Sequence, residues 1–121
     1  MKLRIFDNYL RLRLSQIEVN LFESAGEVFG QANIGGNILK YTFQESPKED
    51  DLSAGFSNNE IKILVSSGLA QKWLKPEEVG IENKDQTQIK ILVEKDFQCL
   101  HKRPNEDESD NFPNPLANQN T

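Results

Sequence analysis

Twice in this chain a short stretch runs without a break into a serine and then into a helical pattern, alternating between apolar and basic residues in the first and interrupted by Leu64 in the second. Leu10-Arg11-Leu12-Arg13-Leu14-Ser15 is the first occurrence and Ile61-Lys62-Ile63-Leu64-Val65-Ser66 the second. Such alternation places one set of side chains on each face of a half-buried strand. A serine at a helix start accepts a hydrogen bond from a backbone N–H that the helix itself leaves unpaired. An offset of 51 residues aligns the two stretches without a gap, setting Ser15 on Ser66, Phe22 on Trp73 and Val28 on Val79. Identities are few, so the order of elements carries the argument for a repeated unit.

The first half reads as a strand over residues 2–6, a turn at Asp7-Asn8 and a strand over 9–14. Ser15 and Glu18 then form a capping box, each side chain satisfying a backbone N–H at the helix start. Ile17, Leu21 and Ala25 recur at helical spacing, Phe22 widens the stripe, and Gly26 is the stop. A weaker strand over 27–33, a Gly35-Gly36-Asn37 turn and a strand over 38–44 follow. Residues 46–51 are polar with a proline and read as a linker. The second half predicts strands over 52–56 and 60–65 around an Asn58-Asn59 turn. Next comes a helix capped by Ser66, with Leu69, Ala70, Trp73 and Leu74 on one face and Pro76 at its end. Strands over 79–82 and 88–95 complete it.

The expected fold is therefore α+β: a duplicated ββαββ unit of about eight antiparallel strands, forming a curled sheet or barrel with two helices. One domain is expected over residues 1–95, with halves 1–47 and 48–95. Residues 96–121 hold three prolines and many Asp, Glu and Asn, and read as an extended acidic tail.

The net charge of −5 is uneven. Residues 1–95 carry 12 Lys/Arg against 14 Asp/Glu, while 96–121 carry 2 against 5. These sums give no bulk attraction to nucleic acid or an anionic membrane. No apolar run approaches the roughly 18–20 residues of a membrane helix. The single cysteine, Cys99, excludes an internal disulfide, and a reducing, cytoplasmic setting is expected.

The candidate chemistry lies on the polar side of the strands. Arg4, Arg11, Arg13, Lys40, Lys62 and Lys90, with Lys2, all sit opposite the large apolar residues. Three arrangements fit them: cations on an open face screened by water and salt, a cationic channel inside a barrel, or a patch covered by the acidic run Glu106-Asp107-Glu108-Ser109-Asp110. The first is a solvated face; the second makes the six residues candidate ligands for an anionic, phosphate-containing small molecule, and no catalytic residue is assigned. No cofactor is expected, and a homodimer is compatible with the sequence. Cys99 and His101 could share one side of an extended segment, but one Cys and one His fall short of a zinc site. Asp107-x-Ser109-x-Asn111 fails as a calcium loop because Phe112 stands where glycine is needed and Asn118 where glutamate is.

Two resemblances add expectations. The order of elements and the basic strand faces resemble the triphosphate-tunnel (CYTH-like) barrels, which implies a metal-dependent triphosphate phosphohydrolase as an alternative function. That family's N-terminal Glu-x-Glu-x-Lys motif is missing, since residues 1–6 read MKLRIF, and Glu82 and Glu94 are the acids that would have to replace it. The stretches LRLRLSQIEV (10–19), ILVEKDFQC (91–99) and EDESDNFPNP (106–115) are similar to a small bacterial family of unknown function. That likeness spans nearly the whole chain and implies a bacterial cytoplasmic protein, but it implies no activity. A structural or interaction protein is the third reading.

Overall fold

The computed structural model describes residues 1–96 and 112. Among them are eight strands and two helices: β1 Lys2–Phe6, β2 Tyr9–Leu14, α1 Gln16–Ala25, β3 Glu27–Ile34, β4 Asn37–Glu45, β5 Leu52–Ser57, β6 Glu60–Val65, α2 Ser67–Leu74, β7 Gly80–Glu82 and β8 Lys90–Lys95. They form an α+β fold with two four-stranded sheets, ordered β1-β2-β8-β7 and β3-β4-β6-β5.

Local chemistry explains most boundaries. The Ser15 hydroxyl accepts from the Glu18 N–H, and the Glu18 carboxylate accepts from the Ser15 N–H, so the expected capping box is present. Gly26 ends α1 at φ 78°, a left-handed conformation that costs glycine nothing. Ser66 accepts from the Leu69 N–H at the start of α2. Asn58 and Asn59 both have positive φ, the requirement of a two-residue turn that matches the strand twist. At Gly30 a Cβ would fall within 2.7 Å of the Tyr41 ring, which lies across that bare backbone and donates its hydroxyl proton to the Met1 carbonyl.

The sheets differ from the expected all-antiparallel arrangement. Neither closes into a barrel, and at the centre of each lies a parallel pair, β2 with β8 and β4 with β6. The cause is the path of the chain. Hairpin β1–β2 lies in one sheet, α1 carries the chain to the other, and β3–β4 pairs there with the second half. Each sheet thus takes one hairpin from each half. The pairings have a common register. Lys2 opposite Arg13 recurs fifty-one residues on as Ser53 opposite Leu64. Leu14 beside Lys95 matches Val65 beside Glu45. The Asp96 N–H donates to the Leu14 carbonyl as the Ser46 N–H donates to that of Val65. The partner of Val28 in this scheme is Ile81, because Val28 opposite Phe43 answers to Ile81 opposite Val93. Val79, which the ungapped alignment placed there, is 47% exposed.

The core lies where both sheets and both helices meet. Leu10, Leu12, Leu14, Ile91 and Val93 come from one sheet, and Phe43, Leu52, Ile61, Ile63 and Val65 from the other. The helices insert Val19, Phe22, Ala70 and Trp73. Ile17 and Leu21, expected on the buried stripe, are instead about half exposed. Helix α1 turns its Val19–Phe22 edge to the core, where Phe22 stacks on Phe43 of β4, and this leaves Ile17 and Leu21 toward water. Phe22 stacks on Phe43 at 4.6 Å between centroids, and Trp73 meets both rings edge-on. Replacing Trp73 by alanine is expected to lower the free energy of unfolding by about 3–5 kcal/mol. A urea titration followed by circular dichroism checks this, and a loss below about 1 kcal/mol would mean the aromatic cluster is not the centre of the core.

Candidate functional site

Strand parity puts Lys2 and Arg4 of β1 and Arg11 and Arg13 of β2 on the outer face of the first sheet. Pairing then makes them direct neighbours: Lys2 lies opposite Arg13, and Arg4 opposite Arg11. Like charges directly opposite in a sheet repel. The four side chains surround a hollow of about 140 Å³.

Two carboxylates partly offset them. Glu94 of β8 lies beside Arg13 in the parallel ladder, and its Oε1 accepts from Arg13 Nε at 2.7 Å and also from Arg11. Lys2 Nζ is 3.0 Å from Asp96 Oδ2, a carboxylate that is almost fully buried. Arg4 stacks its guanidinium over Phe6 at 5.5 Å. Among the described residues no carboxylate lies within ion-pair distance of Arg4.

The remaining sequence candidates fall elsewhere. Lys90 is on the same sheet but farther along β8, 3.9 Å from Glu82 and 5.8 Å from the centre of the Tyr9 ring. Lys40 and Lys62 belong to the second sheet, so the six cations do not converge on one place. Lys40 covers Phe29 at 4.4 Å and lies 4.0 Å from Glu60. The Thr42 hydroxyl donates to Glu60 at 2.6 Å, and this bond, aided by Lys62 and Lys40 against the opposing effect of burial, holds the Glu60 carboxyl below its ordinary range. Acids thus stand among the cations on both outer faces: Glu82 and Glu94, named from sequence, on the first sheet and Glu60 on the second. The missed signal was parity at Glu60, which stands two residues from Lys62 on the same side of its strand.

One lysine was not singled out from sequence at all. Lys95 points inward, 5% exposed, and its Nζ donates to the Lys75 carbonyl at 2.8 Å. The same nitrogen lies 5.8 Å from the centres of the Trp73 and Phe112 rings. Burial pushes its pKa below the ordinary 10.5, and the charges of Glu77 and Glu78 oppose that shift. With the folded pKa lowered, the unfolded chain holds more protons over the interval up to 10.5, so stability rises with pH there. Urea midpoints measured from neutral pH to about pH 10 should show that rise, and Lys95→Met should lack it. The same slope in both proteins would remove Lys95 as its source.

Among the described residues no group of three or more His, Cys, Asp or Glu side chains is placed to hold a metal ion. Cys99, His101 and the acidic run of 106–110 lie outside the described residues. No described helix is long and apolar enough to cross a membrane.

Comparison with known proteins agrees with the likeness read from the two ends of the chain. No curated protein matches it. No solved structure matches it either. The triphosphate-tunnel resemblance therefore gains no support, and the two open sheets leave no closed channel for it. A family described as one of unknown function matches residues 1–116. The chain belongs to that family, DUF7009.

Proposed function

We propose that the protein is a non-enzymatic binding module for a small phosphate-containing anion, held by Arg4, Arg11, Arg13 and Lys2 on the outer face of the first sheet. The observation that carries this reading is the charge imbalance at the hollow: among the described residues four cations face two carboxylates, Glu94 and Asp96. Cross-strand cations repel unless an anion lies between them. Arginine forks suit phosphate oxygens, which they bind in pairs. A water's share of liquid volume is about 30 Å³, so the hollow takes a terminal phosphate or pyrophosphate group rather than a whole nucleotide. Glu94 competes for the same guanidinium groups and sets the affinity. Lys40, Lys62 and Lys90 contribute only to the wider field.

The repeated register supports reading residues 1–95 as one domain that arose by duplication of a ββαββ half. The second copy has kept Lys62 at the Arg11 position but has Ser53 and Gly55 in place of Lys2 and Arg4, so only the first sheet retains the cationic cluster. We propose a bacterial, cytoplasmic setting, which the single cysteine and the likeness read from sequence favour.

The test is calorimetric titration with inorganic pyrophosphate in low salt. Wild-type binding that fades as salt approaches about 0.3 M is expected. Arg4→Ala should weaken it about tenfold or more, and Glu94→Gln should strengthen it. No heat with wild type or Glu94→Gln, both shown folded by circular dichroism, would overturn the reading.

A further inference from the structure

The strand ends opposite the helices form an apolar cleft between the two sheets. Leu10 and Ile61 make its buried floor, Ile5 and Phe56 its exposed rim, and Ala54 and Ile89 its sides, enclosing about 350 Å³. Phe56 is 69% exposed. Among the described residues no charged one lines it.

At the same end, the β3–β4 hairpin runs past its sheet. Pairing of β4 with β6 begins at Lys40 beside Glu60, so residues 31–39 pair only within their own hairpin. At about 3.3 Å per residue the tip reaches roughly 13 Å beyond that last shared rung. Every residue from 31 to 38 is exposed, with Ile34 at 62% and Ile38 at 51%. Residues 28–39 contain no charge. The corresponding hairpin of the second half is cut short, β7 having three residues.

We infer that two copies of this chain form a two-fold dimer in which the Ile34–Ile38 tip of each lies in the Ile5–Phe56 cleft of the other. One arm and one cleft per chain is the composition that an isologous contact closes. Two copies of net charge −5 repel, and an uncharged arm seated in an apolar lining joins them without setting like charges face to face. A metabolite is a poorer occupant, because small-molecule sites carry a few polar groups that orient the ligand and the lining here is apolar throughout. An uncovered neutral hairpin edge also invites uncontrolled strand pairing, which a closed dimer prevents.

Sedimentation velocity of the full chain from about 1 to 200 µM should show a dimer, placing its Kd in the micromolar class. Ile34→Asp with Ile38→Asp, and separately Phe56→Asp, should raise that Kd about thirtyfold or more, the effect of losing a buried anchor. Mixing the arm variant with the cleft variant should restore a heterodimer, since one intact arm then meets one intact cleft. Circular dichroism melts establish that both variants are folded. A wild type that stays monomeric over the whole range, or a dimer indifferent to both variants, would overturn the inference. Neither result bears on pyrophosphate binding, which uses other residues.

Discussion

Two parallel strand contacts hold this molecule together. Where β2 runs beside β8, and β4 beside β6, the first half of the chain is joined to the second. Neither half can build a sheet alone, because its helix sends its two hairpins into different sheets. A two-stranded hairpin is at best marginal in water, and four strands with a covered face are not. The central strands also bring the core residues of both halves into one cluster, with Phe22, Phe43 and Trp73 at the helical end.

That arrangement decides where charge collects. With β1–β2 at one side of its sheet, four cations stand in a two-by-two block on the outer face, and β8 delivers Glu94 against two of them. The second sheet has the same framework with different residues. There Lys62 faces Gly55, and Thr42 and Glu60 form a neutral-to-acid hydrogen bond instead of an arginine cluster. One backbone plan therefore presents a cationic face on one side and a mixed polar face on the other. The molecule is also uneven along its length: helices cover one end of the sheets, while at the other an apolar cleft and an uncharged hairpin lie open.

Much of the local structure was readable from residue order. The serine caps, the Gly26 stop and the asparagine and glycine turns depend on neighbours within four residues, so they survive any tertiary context. Strand parity was equally reliable for Leu10, Leu12 and Leu14 inward with Arg11 and Arg13 outward. The helix stripe was less so: Ile17 and Leu21 fit the period as well as Val19 and Phe22 do, and only the direction from which β3 and the sheets approach selects one edge.

Residue order alone determined α+β content, the element sequence and which side of each strand is polar, because propensity, capping and alternation are short-range effects. Tertiary structure alone decided that the central pairs are parallel, that the sheets stay open, and that Arg4, Arg11 and Arg13 share a hollow while Lys40 and Lys62 do not. Those outcomes depend on which distant strand supplies the next ladder of hydrogen bonds. A strand's alternation names its buried face but not its neighbour, so Glu94 and Asp96 became partners of the cations only once β8 was seated beside β2.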